Sequence, residues 1–412
     1  MARPTLRRIA NFTALSAAAV VACVNAPQPS AAALEAWFTE RSYAPGTAAT
    51  LRISASSSSI GIQLFHAGEE LQPTTRPDVM EGVPVGDVIT LRAARGLERS
   101  LRIRLHYWDS GLYFARVRAG GGTAYAPFVL RSRKLGYRRI AIVLPTNTWQ
   151  AYNVRDDDGD GVGDSWYADE TNTTVQLTRP FANRGVPPHY ANYDLGFLRW
   201  LERSRIEADF LTDDDLERLR GEQLGRAYDL VVFSGHHEYV TPHVYDAIER
   251  YRDLGGNLIF LSANNFFYRV ERHGDTIVRT QRWRDIGRPE AALIGVQYIG
   301  WYEEKYENAG YVASGTDAAP WFFEDAGIRT GDRFGSFGIE IDARTEQSPP
   351  GTQVLATIPD VFGPGQSAEM VFYETGAGAR VFAAGVLNFG GAALIPPVPM
   401  LLANLWARWS TP

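Results

Sequence analysis

The sequence predicts an α/β protein with an N-terminal all-β domain. A β-sandwich is expected over residues 34–133 and a doubly wound parallel sheet over residues 134–412. Three observations predict this. Residues 35–133 carry short runs of alternating apolar and polar residues between Gly, Pro and Ser turns, the period of half-buried strands. From residue 138 the runs become continuously apolar, as expected of strands covered on both faces. Segments of helical spacing separate these runs, and alternating strands and helices imply parallel strands joined by crossovers.

Taken in order, residues 1–33 read as an export signal. Arg3, Arg7 and Arg8 form a basic start, residues 9–24 a short apolar stretch, and Ala31–Ala33 a cleavage region of small residues. The expectation is an exported chain: periplasmic, secreted, or held by a lipid anchor at a bacterial cell surface. Val20-Val21-Ala22-Cys23 reads as a relaxed lipobox that makes Cys23 a lipidated N-terminus; the alternative is a chance cysteine in a cleaved peptide. Cys23 is the single cysteine, which excludes an intrachain disulfide, a cysteine zinc site and an iron–sulfur cluster.

The sandwich strands are expected at TAATLRISA, IGIQLFHAG, DVITLRAA, LRIRLHYW and LYFARVRAG, in a sandwich of roughly seven short strands. In the second domain, Arg139–Pro145, Ala208–Thr212, Tyr228–Phe233 and Asn257–Ser262 read as four buried strands. Phe197–Leu201 has helical spacing. Asp213–Leu219 begins a helix with acids in its first turn, and Thr241–Leu254 is a helix closed by Gly255-Gly256. Residues 270–370 are less regular and extend around the sheet. Arg380–Leu387 reads as a further strand and Leu401–Trp409 as a closing helix.

Hydrophobic residues make up 45% of the chain and charged residues 21%, a balance that buries a core. The net charge is −6, and only Lys134 and Lys305 supplement the arginines. An acidic excess argues against a nucleic-acid surface.

Ligands of open α/β sheets bind beyond the carboxyl ends of the strands. Three polar segments follow such ends: Thr146–Asn153, Ser234–Tyr239 and Ala263–Asn265. His236-His237-Glu238 is the densest cluster of residues able to bind a metal or move a proton. Read alone, it is equally a capping or buried polar network. Ser234, beside His236 and His237, is a nucleophile for a serine hydrolase or simply a turn residue. Asp156, Asp158, Asp160 and Asp164 stand at positions 1, 3, 5 and 9 of a calcium loop, with Gly161 at position 6. Position 12 is Tyr167 where a glutamate is usual, so Asp169 or Glu170 would supply the missing carboxylate. The expectation is a structural Ca2+, against a merely solvated acidic loop.

At TNTWQAYN, SGHHEY and SANNFFYR the chain resembles the large (beta) subunit of N,N-dimethylformamidase and its relatives. The likeness extends to SGLYFARV (110–117), APFVLR (126–131), FLRWLER (197–203) and GARVFAAG (378–385). The resemblance implies a β-sandwich followed by an α/β domain like that of class I glutamine amidotransferases. It implies mononuclear Fe(III) held by two tyrosines and a glutamate, hydrolysing a small-molecule amide. Carried over by motif, Tyr113, Tyr152 and Glu238 become the iron ligands, with Glu238 also part of the catalytic group. His236 becomes the acid/base and Asn264 the substrate contact. The metal would then join the two domains. A small accessory subunit or a homo-oligomer is implied in the same way. The chain departs from the family in the acidic loop 155–164, which intervenes before Ser165-Trp166-Tyr167, and in His237, which could itself become a ligand. The competing reading is an exported, non-catalytic protein that binds a ligand such as a carbohydrate on its aromatic surface.

Overall fold

The computed structural model describes residues 34–70, 74, 76–92, 98–169, 171–301 and 308–409. The export-signal and Cys23 readings fall outside them, as does Glu170. The N-terminal region is all-β. One sheet joins Glu35–Phe38, Ala48–Ser54 and Arg99–Arg104. The other runs Ser42–Tyr43, Gly122–Leu130, Gly111–Ala119, Ser59–His66 and Val83–Arg92.

Alternation along these strands decides what each residue touches. Ala49, Leu51 and Ile53 of the first sheet meet Ile60, Ile62, Tyr113, Ala115 and Val117 of the second in one core. Leu112 and Phe114 point the other way and join the core of the α/β region. The second sheet is therefore covered on both faces, by its sandwich partner and by the rest of the chain.

Among the described residues the α/β region is built on nine strands in one mixed sheet. Asp209–Thr212, Ile140–Leu144, Leu230–Phe233, Asn257–Phe260 and Arg380–Ala383 are parallel neighbours in that order. Ile140–Leu144 comes first in the chain but second in the sheet, so the order reverses there. Ala368–Glu374, Gln353–Ile358, Ala309–Ala313 and Arg333–Phe337 continue the sheet antiparallel, which is how the irregular region after residue 270 extends it. Ile140, Ile142 and Leu144 face the helices Leu195–Arg203 and Val398–Trp409. Ala141 and Val143 face the side covered by Pro242–Asp253.

The helix expected from Asp213 is only Asp213–Leu216, set by a capping box between Thr212 and Asp215. Pro242–Asp253 forms as expected, with Thr241 as its N-cap. A small sheet of Tyr239–Val240, Tyr268–His273, Thr276–Arg282 and Thr174–Gln176 lies over the strand ends, and Glu340–Ala343 pairs with Gln297–Trp301 beside it.

Candidate active site

The three polar segments do converge at the carboxyl ends of the parallel strands. The strand Ile140–Leu144 runs through Pro145 into the short helix Thr146–Ala151, which delivers Tyr152. The strand Leu230–Phe233 runs into Ser234-Gly235-His236-His237-Glu238. Gly235 is required in this turn, because a Cβ there would lie 2.2 Å from Asp194 Oδ1. After the strand Asn257–Phe260 the backbone turns through Asn264 at φ 53° and Phe266 at φ 57°, a conformation L residues seldom adopt.

At the centre is Glu238. Its Oε2 accepts hydrogen bonds from the hydroxyls of Tyr152 (3.0 Å) and Tyr167 (2.8 Å). The two phenol rings stack with centroids 4.0 Å apart. His236 Nε2 lies 3.1 Å from the Tyr152 hydroxyl and 3.2 Å from Glu238 Oε2, while its Nδ1 is 3.1 Å from the Ala263 carbonyl. Glu340 approaches from the Glu340–Ala343 strand, with Oε2 3.9 Å from His236 Nε2. That oxygen is buried and has no hydrogen-bond partner. The Asn264 side chain lies beside the same carboxylate and favours its charged form, while its own Oδ1 is buried and unpartnered.

The electrostatics follow from burial and crowding of acids. Burial opposes a charge on His236, but Glu340 and the hydrogen-bonded Glu238 outweigh it and lift the imidazole to about 9. Burial, with Glu238 close by, pushes the Glu340 carboxyl up against the pull of His236. Burial and Glu238 also push both the Tyr152 and Tyr167 phenols well above their usual value. In the absence of a cation these phenols are neutral donors to Glu238.

Tyr113 does not join this cluster. Strand alternation turns its side chain into the sandwich core, where the hydroxyl donates to the Asp109 carbonyl at 2.9 Å and the ring packs on His66, Trp108 and Phe128. The acids that act on it are Asp109, Glu69 and Glu202, not Glu238. The phenol that takes the expected place beside Tyr152 is Tyr167. The Ser165-Trp166-Tyr167 segment after the acidic loop was its only local signal. Glu340 was missed altogether.

His237 is buried but turned away, with Nε2 3.1 Å from the Val143 carbonyl and its ring against Phe233. Burial lowers it to about 3, so it is a neutral packing residue rather than a ligand of the cluster. Ser234 donates to the same Val143 carbonyl at 3.4 Å and makes no hydrogen bond to either histidine, which leaves the serine-hydrolase reading without its base.

The acidic loop lies between the two phenols in sequence. Asp156, Asp158 and Asp164 bring carboxylate oxygens within 4.8 Å of one another. Asp160 stands outside that group and accepts from Val162 N, and Asp169 accepts from Thr171. Buried Arg179 ties the loop down by donating to the Asn153 and Asp164 carbonyls, both at 2.8 Å.

Beside Tyr152 and His236 lies an inner pocket of about 10 Å³, walled by Thr148, Pro188, His189 and Asp194. Tyr152, Pro188 and His189 also line an outer cleft of about 220 Å³. His189 therefore stands between the two, its ring edge-on to Tyr152 at 5.8 Å.

A family described as N,N-dimethylformamidase beta subunit-like, C-terminal, matches residues 98–395. The N,N-dimethylformamidase beta subunit of an Alcaligenes species is 38% identical over 80 residues, 19% of this chain and 10% of that protein. That of Paracoccus aminophilus is 35% identical over 80 residues, with the same coverage. The match thus spans about one tenth of either relative's length. Among solved structures, a superoxide reductase from Ignicoccus hospitalis is 14% identical over 25% of this chain and 82% of its own, at a TM-score of 0.17. A cycloisomaltooligosaccharide glucanotransferase from a Paenibacillus species is 8% identical over 85% of this chain and 68% of its own, at a TM-score of 0.19. Scores this low bear on neither fold nor function.

Proposed function

Since the chain belongs to the N,N-dimethylformamidase beta-subunit family, we propose that it is an iron-dependent hydrolase of the C–N bond of a small amide. The observation that carries this is the convergence of Tyr152, Tyr167 and Glu238 on one point, with His236 and Glu340 beside it. Two phenols and a carboxylate are hard oxygen donors, the set that suits Fe(III). The phenols release their protons only next to a cation, and the unpartnered Glu340 oxygen marks a buried site short of positive charge. Tyr152, Tyr167 and Glu238 would hold the iron, in place of a set that includes Tyr113. When bound it supplies Lewis acidity at the amide carbonyl and lowers the pKa of water.

The chain's own residues handle the protons. Glu340, raised and 3.9 Å from His236, accepts the proton of the attacking water. His236, kept cationic by Glu238 and Glu340, gives a proton to the leaving amine. Its Nδ1 bond to the Ala263 carbonyl fixes the ring so that Nε2 faces the reaction. Asn264, beside Glu340, keeps a buried Oδ1 free to accept a hydrogen bond from substrate. The pocket beside Tyr152 and His236 has room for about one water, so an amide enters only by displacing its walls, which favours a small one.

The same reading takes the parallel half of the sheet as the amidotransferase-like core, supported by the reversal of strand order beside the site. It places Ca2+ as a structural ion on Asp156, Asp158 and Asp164. The relatives' printed names as beta subunits support a small accessory subunit or self-association. The test is metal analysis and a visible spectrum of the purified protein, with amine release assayed on small amides. A tyrosinate–iron band is expected. Tyr152→Phe and Tyr167→Phe should each bleach it, and Tyr113→Phe should leave it. A colourless protein that takes up no iron on reconstitution would sink the proposal.

A further inference from the structure

On the opposite side of the sandwich junction a second group of ligand-type side chains meets. His66 ends the strand Ser59–His66, Glu69 follows in the next turn, and Glu202 lies in the last turn of the helix Leu195–Arg203. One ligand atom from each lies within 4.8 Å of the other two. They open on a cleft of about 370 Å³ that Asp109 and Trp108 also line.

The imidazole is held in place. A Cβ on Gly111 would lie 2.4 Å from His66 Nε2, so only glycine leaves room for the ring there. Tyr113 packs on one face with ring centroids 4.6 Å apart. His66 Nδ1 is left facing Glu69 Oε1 at 2.7 Å.

Glu202 is the unexplained member. It is half-buried, yet among the described residues its carboxylate makes no hydrogen bond and no ion pair. Burial pushes its carboxyl up despite the pull of His66, and Glu69 and Asp109 push it further. Three acids gather on one imidazole, and although Arg133, Arg138 and Arg205 line the same cleft, among the described residues none of them pairs with Glu202.

We propose that His66, Glu69 and Glu202 form a binding site for a divalent transition-metal ion of the zinc class. One neutral imidazole and two carboxylates balance a 2+ charge and match the mixed nitrogen and oxygen preference of zinc. Donors on a tetrahedral zinc stand roughly 3.4 Å apart, so an ion entering between His66 Nδ1 and Glu69 Oε1 moves that 2.7 Å pair slightly apart, and rotation of the Glu202 side chain brings in the third donor. His66 belongs to the sandwich and Glu202 to a helix packed on the α/β sheet, so the ion cross-links the two. The remaining coordination positions face the cleft. This site is independent of the iron reading.

The test uses the full chain, stripped with a chelator and kept in excess Ca2+ so that the acidic loop takes no zinc. Zn2+ is titrated by calorimetry and by thermal melting, on wild type, Glu202→Gln and His66→Ala. Glu202→Gln should bind one fewer zinc per chain than wild type and show a smaller zinc-dependent rise in Tm. His66→Ala should do the same if it folds; Glu202→Gln carries the test if it does not. The proposal is overturned if Glu202→Gln binds zinc as wild type does, or if wild type binds none at micromolar zinc.

Discussion

In the proposed hydrolysis the base, Glu340, and the acid, His236, stand 3.9 Å apart. If Glu340 takes the proton of the attacking water, Glu340→Gln should lower kcat by about 10²- to 10⁴-fold, the usual worth of general acid–base catalysis. The iron band should persist, since Gln keeps the shape and Glu340 is not among the proposed ligands. Loss of colour with activity would move Glu340 into the metal set. His236 and Glu238 were legible in the sequence because one strand end delivers both from positions two apart. Glu340 was not, because it arrives from an edge pairing with Gln297–Trp301 far along the chain, and Gly338-Ile339-Glu340-Ile341-Asp342 reads locally as an ordinary alternating strand. Tyr113 stands away from the cluster for a similar reason. A motif gives the residue type, but strand alternation gives its direction, and it sends Tyr113 into the sandwich with Ala115 and Val117 while Leu112 and Phe114 face the α/β core.

Two short segments govern the site from outside. Pro187-Pro188-His189 places His189 at φ 58° between the outer cleft and the inner pocket. A glycine tolerates that backbone better than histidine does, so His189→Gly should fold and open the wall. Its kcat/KM should rise for amides with bulkier N-substituents relative to the smallest one; an unchanged ratio would show that substrate enters elsewhere. The second segment is the acidic loop. Asp156 accepts from Gly159 N at 2.6 Å and Gly161 N at 2.9 Å, so the backbone already curls around its carboxylate. The spacing of the aspartates showed this curl in the sequence, although Asp160 and Asp169 then bond locally instead of joining the group. If the loop binds Ca2+, adding it at about 100 times its Kd should stabilise the chain by about 2.7 kcal/mol, and Asp156→Asn should abolish that gain. Equal melting with and without Ca2+ would return the loop to a solvated acidic turn.

At the scale of the molecule, the sandwich and the α/β region are welded by Asp213, Asp214 and Asp215, which the sequence presented only as acids in a first helical turn. Asp213 accepts from Thr146 Oγ1 and Asn147 N. Asp215 closes the Thr212 cap and accepts from Ser42 and Arg131 of the sandwich. Asp214 accepts Arg41 Nε at 2.6 Å and also pairs with Arg272. No periodicity could reveal this, because the partners are brought together only by the docking of two separate sheets. Burial raises an isolated carboxyl, but Arg41 and then Arg272 overcome it and hold Asp214 well below the usual carboxylate range. A carboxyl lowered in the folded state stabilises fully above its unfolded value, near 3.9, and that contribution is lost as pH falls below it. Asp213 works the other way. Burial lifts it to about 6, so its share of stability falls as pH rises from about 4 through 6. Asp214→Asn takes the direct carboxylate partner from Arg41 and Arg272, leaving Arg41 only Asn147 and the more distant Asp213 and Asp275, and should cost up to about 3–5 kcal/mol at pH 7, measured by urea unfolding. Below pH 4 the wild type should lose stability more steeply than the variant, which has no Asp214 carboxylate left to protonate. Parallel acid-side curves would show that the weld rests on Asp215 and Asp213 rather than on the Arg41–Asp214 pair.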